Sequence, residues 1–412
     1  MTELGKWMAA QIRQGGPVPF AQFMEWALYH PELGYYTGER RKFGKAGDFY
    51  TSPGINPVFA EVLADQLAEK ASLVAAEPFV LLEFGAGEGM LARDLLNRWQ
   101  AEHPALYANA EYRIVEISPA LRARQAELTG AHPGKVAWMT REEVLAGGAF
   151  VGAVLTNEFV DAFPVHRVVK QDGGLAELYV DWEAEPRRTD GMFDMEVRAD
   201  MAAGLPREQL EQDSSEAVPG RSVHDEGAFE PGRYVVIPGA LSDVRIEEYA
   251  AAYAAGMIRG QVTEVGLPGL DWYQEVAGLL QQGWILTIDY GFDAEMLHHK
   301  SRMDGTLRGF YQHTLVSDPF QHVGEMDLTA DVNFTALQAV GEQAGLVTEF
   351  YGSQAKYLLQ SGILQRLKDV FSADLINDPD MKRNRAIKQL IMPGGIGDHF
   401  KVLVQSRGVS VL

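Results

Sequence analysis

The chain has 412 residues, 46% of them hydrophobic, enough for one large elaborated domain or for a core with a smaller companion. Its 36 basic and 57 acidic side chains give a formal net charge of −21, which repels phosphate backbones and excludes nucleic acid as a main partner. Cysteine is absent, which removes disulfides, thiolate zinc sites and cysteine nucleophiles together and agrees with a reducing compartment.

The N-terminus, MTELGKWMAAQIRQGG, has neither an apolar stretch of signal-peptide length nor the Arg-rich, acid-poor pattern of a transit peptide. No segment approaches the roughly 20 apolar residues that span a bilayer. A cytoplasmic location without a membrane span is therefore the expectation.

Helical spacing of Phe20, Phe23, Met24 and Ala27, and again of Phe59, Val62, Leu63 and Leu67, predicts helices in the first 77 residues. Between them lies GYYTGERRKFGKAGDFYTSPG, from Gly34 to Gly54. From Pro78 the text alternates strand and helix: FVLLEFG then MLARDLLNRW, YRIVE then a helix with Leu121 and Leu128, a weak strand at Val136–Met139, and VGAVLT at 151–156. Such alternation implies a parallel sheet with its binding crevice at the carboxyl ends of the strands. VHRVVKQDGGLAELYVDW then reads as a hairpin around an Asp-Gly-Gly turn. Residues 183 to 230, with 13 acidic and 5 basic side chains and little periodicity, read as an inserted acidic segment. The core resumes with a helix from Trp272 and the strand WILTIDYG at 284–291. After a long polar loop come a helix over Phe334–Gln343, capped by Asn333 and stopped by Gly345, and a closing strand at Phe400–Gln405. The expected organisation is a helical region over 1–77 carrying the 34–54 loop, a core of 78–165 and 262–412, and an insertion over 166–261.

The sharpest local signal is Glu83, Gly85, Gly87 and Gly89 in LLEFGAGEGML, between a strand and a helix. Glycines allow a tight turn and close approach to a ligand, and the helix start offers N–H groups to an anion such as the carboxylate of S-adenosylmethionine (SAM). A dinucleotide fingerprint needs its third glycine where Met90 stands, so the spacing argues against NAD. Glu116, followed by Ile117, ends the second strand, where a carboxylate accepts hydrogen bonds from ribose hydroxyls. The competing readings are a plain tight turn and a solvated strand-end acid; both motifs in register favour a nucleoside ligand.

Asn157, Glu158 and Asp161 in TNEFVDAFPV follow the fourth strand. Two acids three residues apart on one side of a helical turn can grip a guanidinium, the alternative being a surface helix cap. The 34–54 loop holds Arg40, Arg41, Lys42 and Lys45, ordinarily a solvated face, beside Asp48, Phe49, Thr51, Ser52 and Pro53, a cluster suited to closing over a cofactor. His298, His299, His313 and His322 lack metal-binding spacing and read as surface or loop histidines, so no metal is expected. No G-x-S-x-G elbow or P-loop occurs.

These residues lie in longer stretches that resemble the MidA-like SAM-dependent methyltransferases, relatives of the mitochondrial complex I assembly methyltransferase. The matching text is FMEWALYHPELGYYT, GDFYTSPGINPVFAEVLADQ, LLEFGAGEGMLARDLL, YRIVEISPALRARQ, TNEFVDAFPVHRV, ILTIDYGF, GTLRGFYQH and DLTADVNFTAL, in family order from residue 23 to about 337. The resemblance implies an α/β class I (Rossmann-like) methyltransferase core with an N-terminal helical extension and an inserted α+β region, and SAM as cofactor. It further implies a protein arginine as substrate, with a role in respiratory complex assembly. It points to Gly85, Gly87 and Glu116 for the cofactor and to the loop around Asp48 for the active site. Between about 183 and 260 the insertion is longer and more acidic than the family pattern, and a homodimer is left open.

Taken together, the expected cofactor residues are Glu83, Gly85, Gly87, Gly89, Glu116, Ile117, Asn157, Thr51 and Ser52, and the expected catalytic residues are Asp48, Glu158 and Asp161. In this reading Glu158 and Asp161 orient a guanidinium for in-line methyl transfer and Asp48 assists from the lid. The rival from another class is a SAM-binding assembly or chaperone factor that transfers no methyl group.

Overall fold

After the two-residue strand β1 (Val18–Pro19), four strands open the central sheet: β2 (Phe79–Phe84), β3 (Ala110–Val115), β4 (Val136–Met139) and β5 (Phe150–Asn157). A separate group follows, β6 (His166–Gln171), β7 (Gly174–Ala184), β8 (Gly232–Gly239) and β9 (Val262–Val265), before β10 (Leu280–Phe292) returns to the central sheet. Three short strands, β11 (Arg308–Tyr311), β12 (Thr314–Val316) and β13 (Asp327–Thr329), occupy what the sequence presents as a polar loop. The last are β14 (Val332–Asn333), β15 (Val347–Ser353) and β16 (Phe400–Arg407). This computed structural model describes residues 1–38, 56–74, 78–184, 231–371, 374 and 377–409. Most of the 34–54 loop, with Asp48, Thr51 and Ser52, and the acidic stretch from 185 to 230 lie outside them.

The central sheet has the order β15-β16-β10-β5-β2-β3-β4. Its pairs are parallel except those of β16, which runs antiparallel to both β10 and β15. A reversed strand between β10 and β15 departs from the dinucleotide-binding order and, like the glycine spacing, counts against NAD. Strand order switches direction between β2 and β5, which opens the crevice at their carboxyl ends.

Both faces of this sheet are covered, so its strands read as continuous apolar runs. Successive residues point to opposite faces: Leu81, Leu155, Leu286 and Val404 join helices Val58–Ala71 and Met90–Glu102 on one side. Leu82, Val154, Ile285 and Leu403 join helices Leu267–Leu279 and Phe334–Gln343 on the other. Asn333 caps Phe334–Gln343 by accepting from the Ala336 N–H, and Gly345 beyond it has φ +89°, as the sequence predicts.

The N-terminal helices Glu3–Gly15 and Phe20–Tyr29 pack against Val180 and Trp182 of β7 and Leu328 of β13. That contact places the aromatic end of the second helix over the crevice. Sequence periodicity missed the helices Gln354–Gln360 and Pro379–Ile391, inserted between β15 and β16. His298 is a correction of a different kind. It is buried, with Nδ1 3.0 Å from the Thr263 hydroxyl, and burial lowers its pKa to about 4.

Candidate functional site

A cavity of about 660 Å³ opens at the switch point, inside the range of about 300–1,000 Å³ typical of small-molecule sites. The β2 loop forms its floor. Gly85, Gly87 and Gly89 have φ of +70°, +53° and +91°, the left-handed region open to glycine at little cost. A Cβ on Gly85 would stand 2.7 Å from Phe159 Cδ2, and one on Gly89 would stand 3.1 Å from Gln125 Cα. Backbone conformation and packing therefore both demand glycine, and helix Met90–Glu102 starts directly after the turn.

Beside this loop, Glu116 follows the last residue of β3 and is buried with its carboxylate at the cavity. Its Oε1 accepts from the Ser118 N–H at 2.8 Å and its Oε2 from Gln125 Nε2 at 3.0 Å. Gln125, 0% exposed, also donates to the Gly87 carbonyl at 2.8 Å and accepts from Trp138 Nε1 at 2.9 Å. One amide thus ties together the ends of β2, β3 and β4, and its three partners leave a single orientation for it. Ile117, 54% exposed, offers an apolar side chain on the same rim. Glu83 sits deeper, 2% exposed, accepting from the Tyr112 hydroxyl at 2.8 Å. Burial pushes its pKa up to about 7; the Tyr112 hydrogen bond pulls it down and the nearby Glu116 pushes it up.

The β5 end brings Asn157, Glu158 and Asp161 to the cavity; Asp161 lies on a single 3-10 turn, Val160–Ala162, and Glu158 stands just before it. Glu158 has φ +54°, a strain of about 1–3 kcal/mol for a residue with a Cβ. Its own N–H donates to the Ile288 carbonyl at 2.9 Å. The next three amides, of Phe159, Val160 and Asp161, all donate to Asp289 Oδ2 at 3.1, 2.7 and 3.3 Å. Asp289 is the clamp that holds this turn. Burial pushes its pKa up to about 7, against the pull of its amide donors.

Asp161, 6% exposed, lines the cavity, and no described residue donates a hydrogen bond to its carboxylate. Burial raises its pKa well above the usual carboxylate range; Asp289, Asp327 and Glu158 push the same way and Arg308 opposes them. The Asn157 Oδ1 atom is buried without a partner among the described residues. Tyr29, whose hydroxyl donates to the Ala162 carbonyl at 3.0 Å, stacks on Tyr36 with ring centroids 5.5 Å apart.

Sequence reasoning thus missed Gln125, Asp289 and Asp327. The Asp in WILTIDYG at a strand end of the crevice was a usable signal for Asp289; Gln125 reads as one more polar helix residue.

An anion-accepting glycine turn, a carboxylate at the ribose position, an orphaned amide oxygen and acids able to face a cation fit SAM, which carries a sulfonium and an amino-acid end. A family model described as "Putative S-adenosyl-L-methionine-dependent methyltransferase" matches residues 62–352. The mitochondrial protein arginine methyltransferase NDUFAF7 homolog of Drosophila melanogaster is 28% identical over 98% of this chain and 85% of its own length. The human mitochondrial protein arginine methyltransferase NDUFAF7 is 27% identical over 97% and 82%. A crystal structure from Burkholderia thailandensis, bound to S-adenosyl-homocysteine, superposes with a TM-score of 0.79 at 29% identity, covering 99% of this chain and 92% of that one. A native crystal structure of a COG1565 superfamily protein from the same organism gives 0.76 at 30% identity with the same coverage.

The mitochondrial placement of the curated relatives overturns the expected cytoplasmic location. Absence of cysteine is a weak guide to compartment. The matched residues, the reversed β16 and the glycine crevice agree: the chain belongs to the S-adenosyl-L-methionine-dependent methyltransferase family, and SAM is its cofactor.

Proposed function

We propose that the protein methylates the guanidinium of an arginine in a protein substrate, and that this serves respiratory complex assembly, as the family resemblance suggests. The carrying observation is Asp161, a buried carboxylate aimed into the cavity with no hydrogen-bond donor among the described residues. A ligand cation entering the cavity meets that carboxylate where no described donor competes for it. The names of the curated relatives add support.

In this reading the amides of the Gly85–Gly89 turn and Asn157 hold the amino-acid end of SAM. Glu116, braced by Gln125, accepts the ribose hydroxyls, Ile117 covers the base, and Glu83 supports the floor. When bound, SAM supplies an electrophilic methyl group. Glu158 hydrogen-bonds one guanidinium nitrogen and fixes the plane of the group. Asp161 orients the reacting nitrogen and takes the proton that nitrogen sheds as it is methylated, a task suited to a carboxyl with a raised pKa. Asp289 touches no substrate; it keeps Glu158 and Asp161 at their angle.

Transfer of labelled methyl from SAM to acetyl-Gly-Gly-Arg-Gly-Gly-amide, compared with the lysine counterpart, tests the reading. Incorporation into the arginine peptide alone is expected. Incorporation into the lysine peptide alone, or none into either, would refute it and, in the second case, favour the assembly-factor alternative.

A further inference from the structure

We propose that Asp327 and Tyr36 form a second jaw of the acceptor site, so that the guanidinium is held between two carboxylates carried by separate parts of the chain. The inference rests on the arginine reading above and assigns its specificity to elements outside the central sheet.

Asp327 opens β13 and is 3% exposed, yet it lines the same cavity as Asp161. Alternation along the strand sets its direction: Leu328 packs into the N-terminal core, while Asp327 and Thr329 both reach the cavity. The Thr329 hydroxyl is buried without a partner among the described residues. Tyr36 fixes the Asp327 carboxylate, its hydroxyl lying 3.0 and 3.1 Å from the two oxygens. The β13 end is tied to the catalytic turn, since the Ala330 N–H donates to the Asp161 carbonyl at 3.0 Å.

This arrangement suits a planar group with several donors better than a compact ammonium. A guanidinium presents five N–H donors in a fixed plane and stacks on aromatic faces, whereas an ammonium is a hydrated point charge with three. Two carboxylates, an unpaired hydroxyl and the Tyr29–Tyr36 stack supply acceptors and a flat wall together. Asp327 and Tyr36 belong to elements other than the glycine turn, so each can be substituted without altering that turn.

The test uses Asp327→Asn and Tyr36→Phe in the full chain with the arginine pentapeptide. Asp327→Asn should raise KM for the peptide by about tenfold or more, while the Kd for SAM stays within about twofold. A second readout is the acid limb of the kcat/KM profile. Asp161 feels Asp289, Asp327 and Glu158 as negative neighbours and Arg308 as a positive one; removing the Asp327 charge should move that limb to lower pH. A merely structural role would not move it. Unchanged KM and an unmoved limb, with the wild type methylating the arginine peptide, would overturn the inference and leave the arginine reading intact. If the wild type methylates no arginine, both fall. Should Asp327→Asn lose SAM binding, Tyr36→Phe decides: a raised KM at normal SAM affinity supports the jaw, an unchanged KM removes it.

Discussion

Asp161→Asn is expected to lower kcat for an arginine peptide by about 10²–10⁴-fold, the span of a lost general base, while SAM affinity stays unchanged. The asparagine keeps the shape and still accepts a hydrogen bond, so the loss isolates charge and proton acceptance. The environment makes the prediction strong. Asp161 is buried beside Asp289, Asp327 and Glu158, so its carboxyl holds a proton to higher pH than an ordinary aspartate. A cationic guanidinium entering the cavity reverses that balance, because an opposite charge favours the ionised form. Activity in the wild type should therefore fall on the acid side as Asp161 becomes protonated in the free enzyme, and Asp161→Asn should flatten that limb. Steady-state kinetics across pH, with SAM saturating, checks both points; an unchanged kcat would remove Asp161 from the chemistry.

The second large effect is expected at Gln125, on binding and not on chemistry. Gln125→Glu puts an acceptor-only carboxylate against the Glu116 carboxylate and the Gly87 carbonyl, where the wild type has two N–H donors. Losing hydrogen bonds to a charged group and gaining a like charge should weaken SAM by about 10–100-fold. Lowering the pH protonates the introduced carboxyl and restores a donor. The ratio of variant to wild-type Kd should therefore shrink towards pH 5, whereas Gln125→Met should give a weaker protein whose ratio does not change with pH. Calorimetry at several pH values measures the ratio, and a pH-independent one for Gln125→Glu would mean that the amide only fills space.

The parts of this site legible in the sequence are those made by neighbouring residues. Gly85, Gly87 and Gly89 announce a turn because positive φ is a local demand, and the Asp-Gly-Gly hairpin between β6 and β7 is local for the same reason. Glu116 is legible because a strand end is. Asp289 is different. Its partners Phe159, Val160 and Asp161 are about 130 positions earlier in the chain, and no periodicity records a cap supplied from another strand. Asp327 hid in a polar stretch because β13 is only three residues long, too short for alternation to register. The positive φ of Glu158 was also unreadable, since nothing in Asn-Glu-Phe requires it; the surrounding bonds impose it. Such violations of local preference are found where function demands them.

Every residue role proposed above depends on SAM lying across the Gly85–Gly89 turn with its ribose on Glu116. Calorimetric titration of SAM into the full-length protein and into Glu116→Ala tests this most directly. One site is expected in the wild type, weakened by about 10–100-fold in the variant through loss of hydrogen bonds to a charged acceptor. Absence of binding to the wild type, or equal affinity in the two proteins, would contradict it.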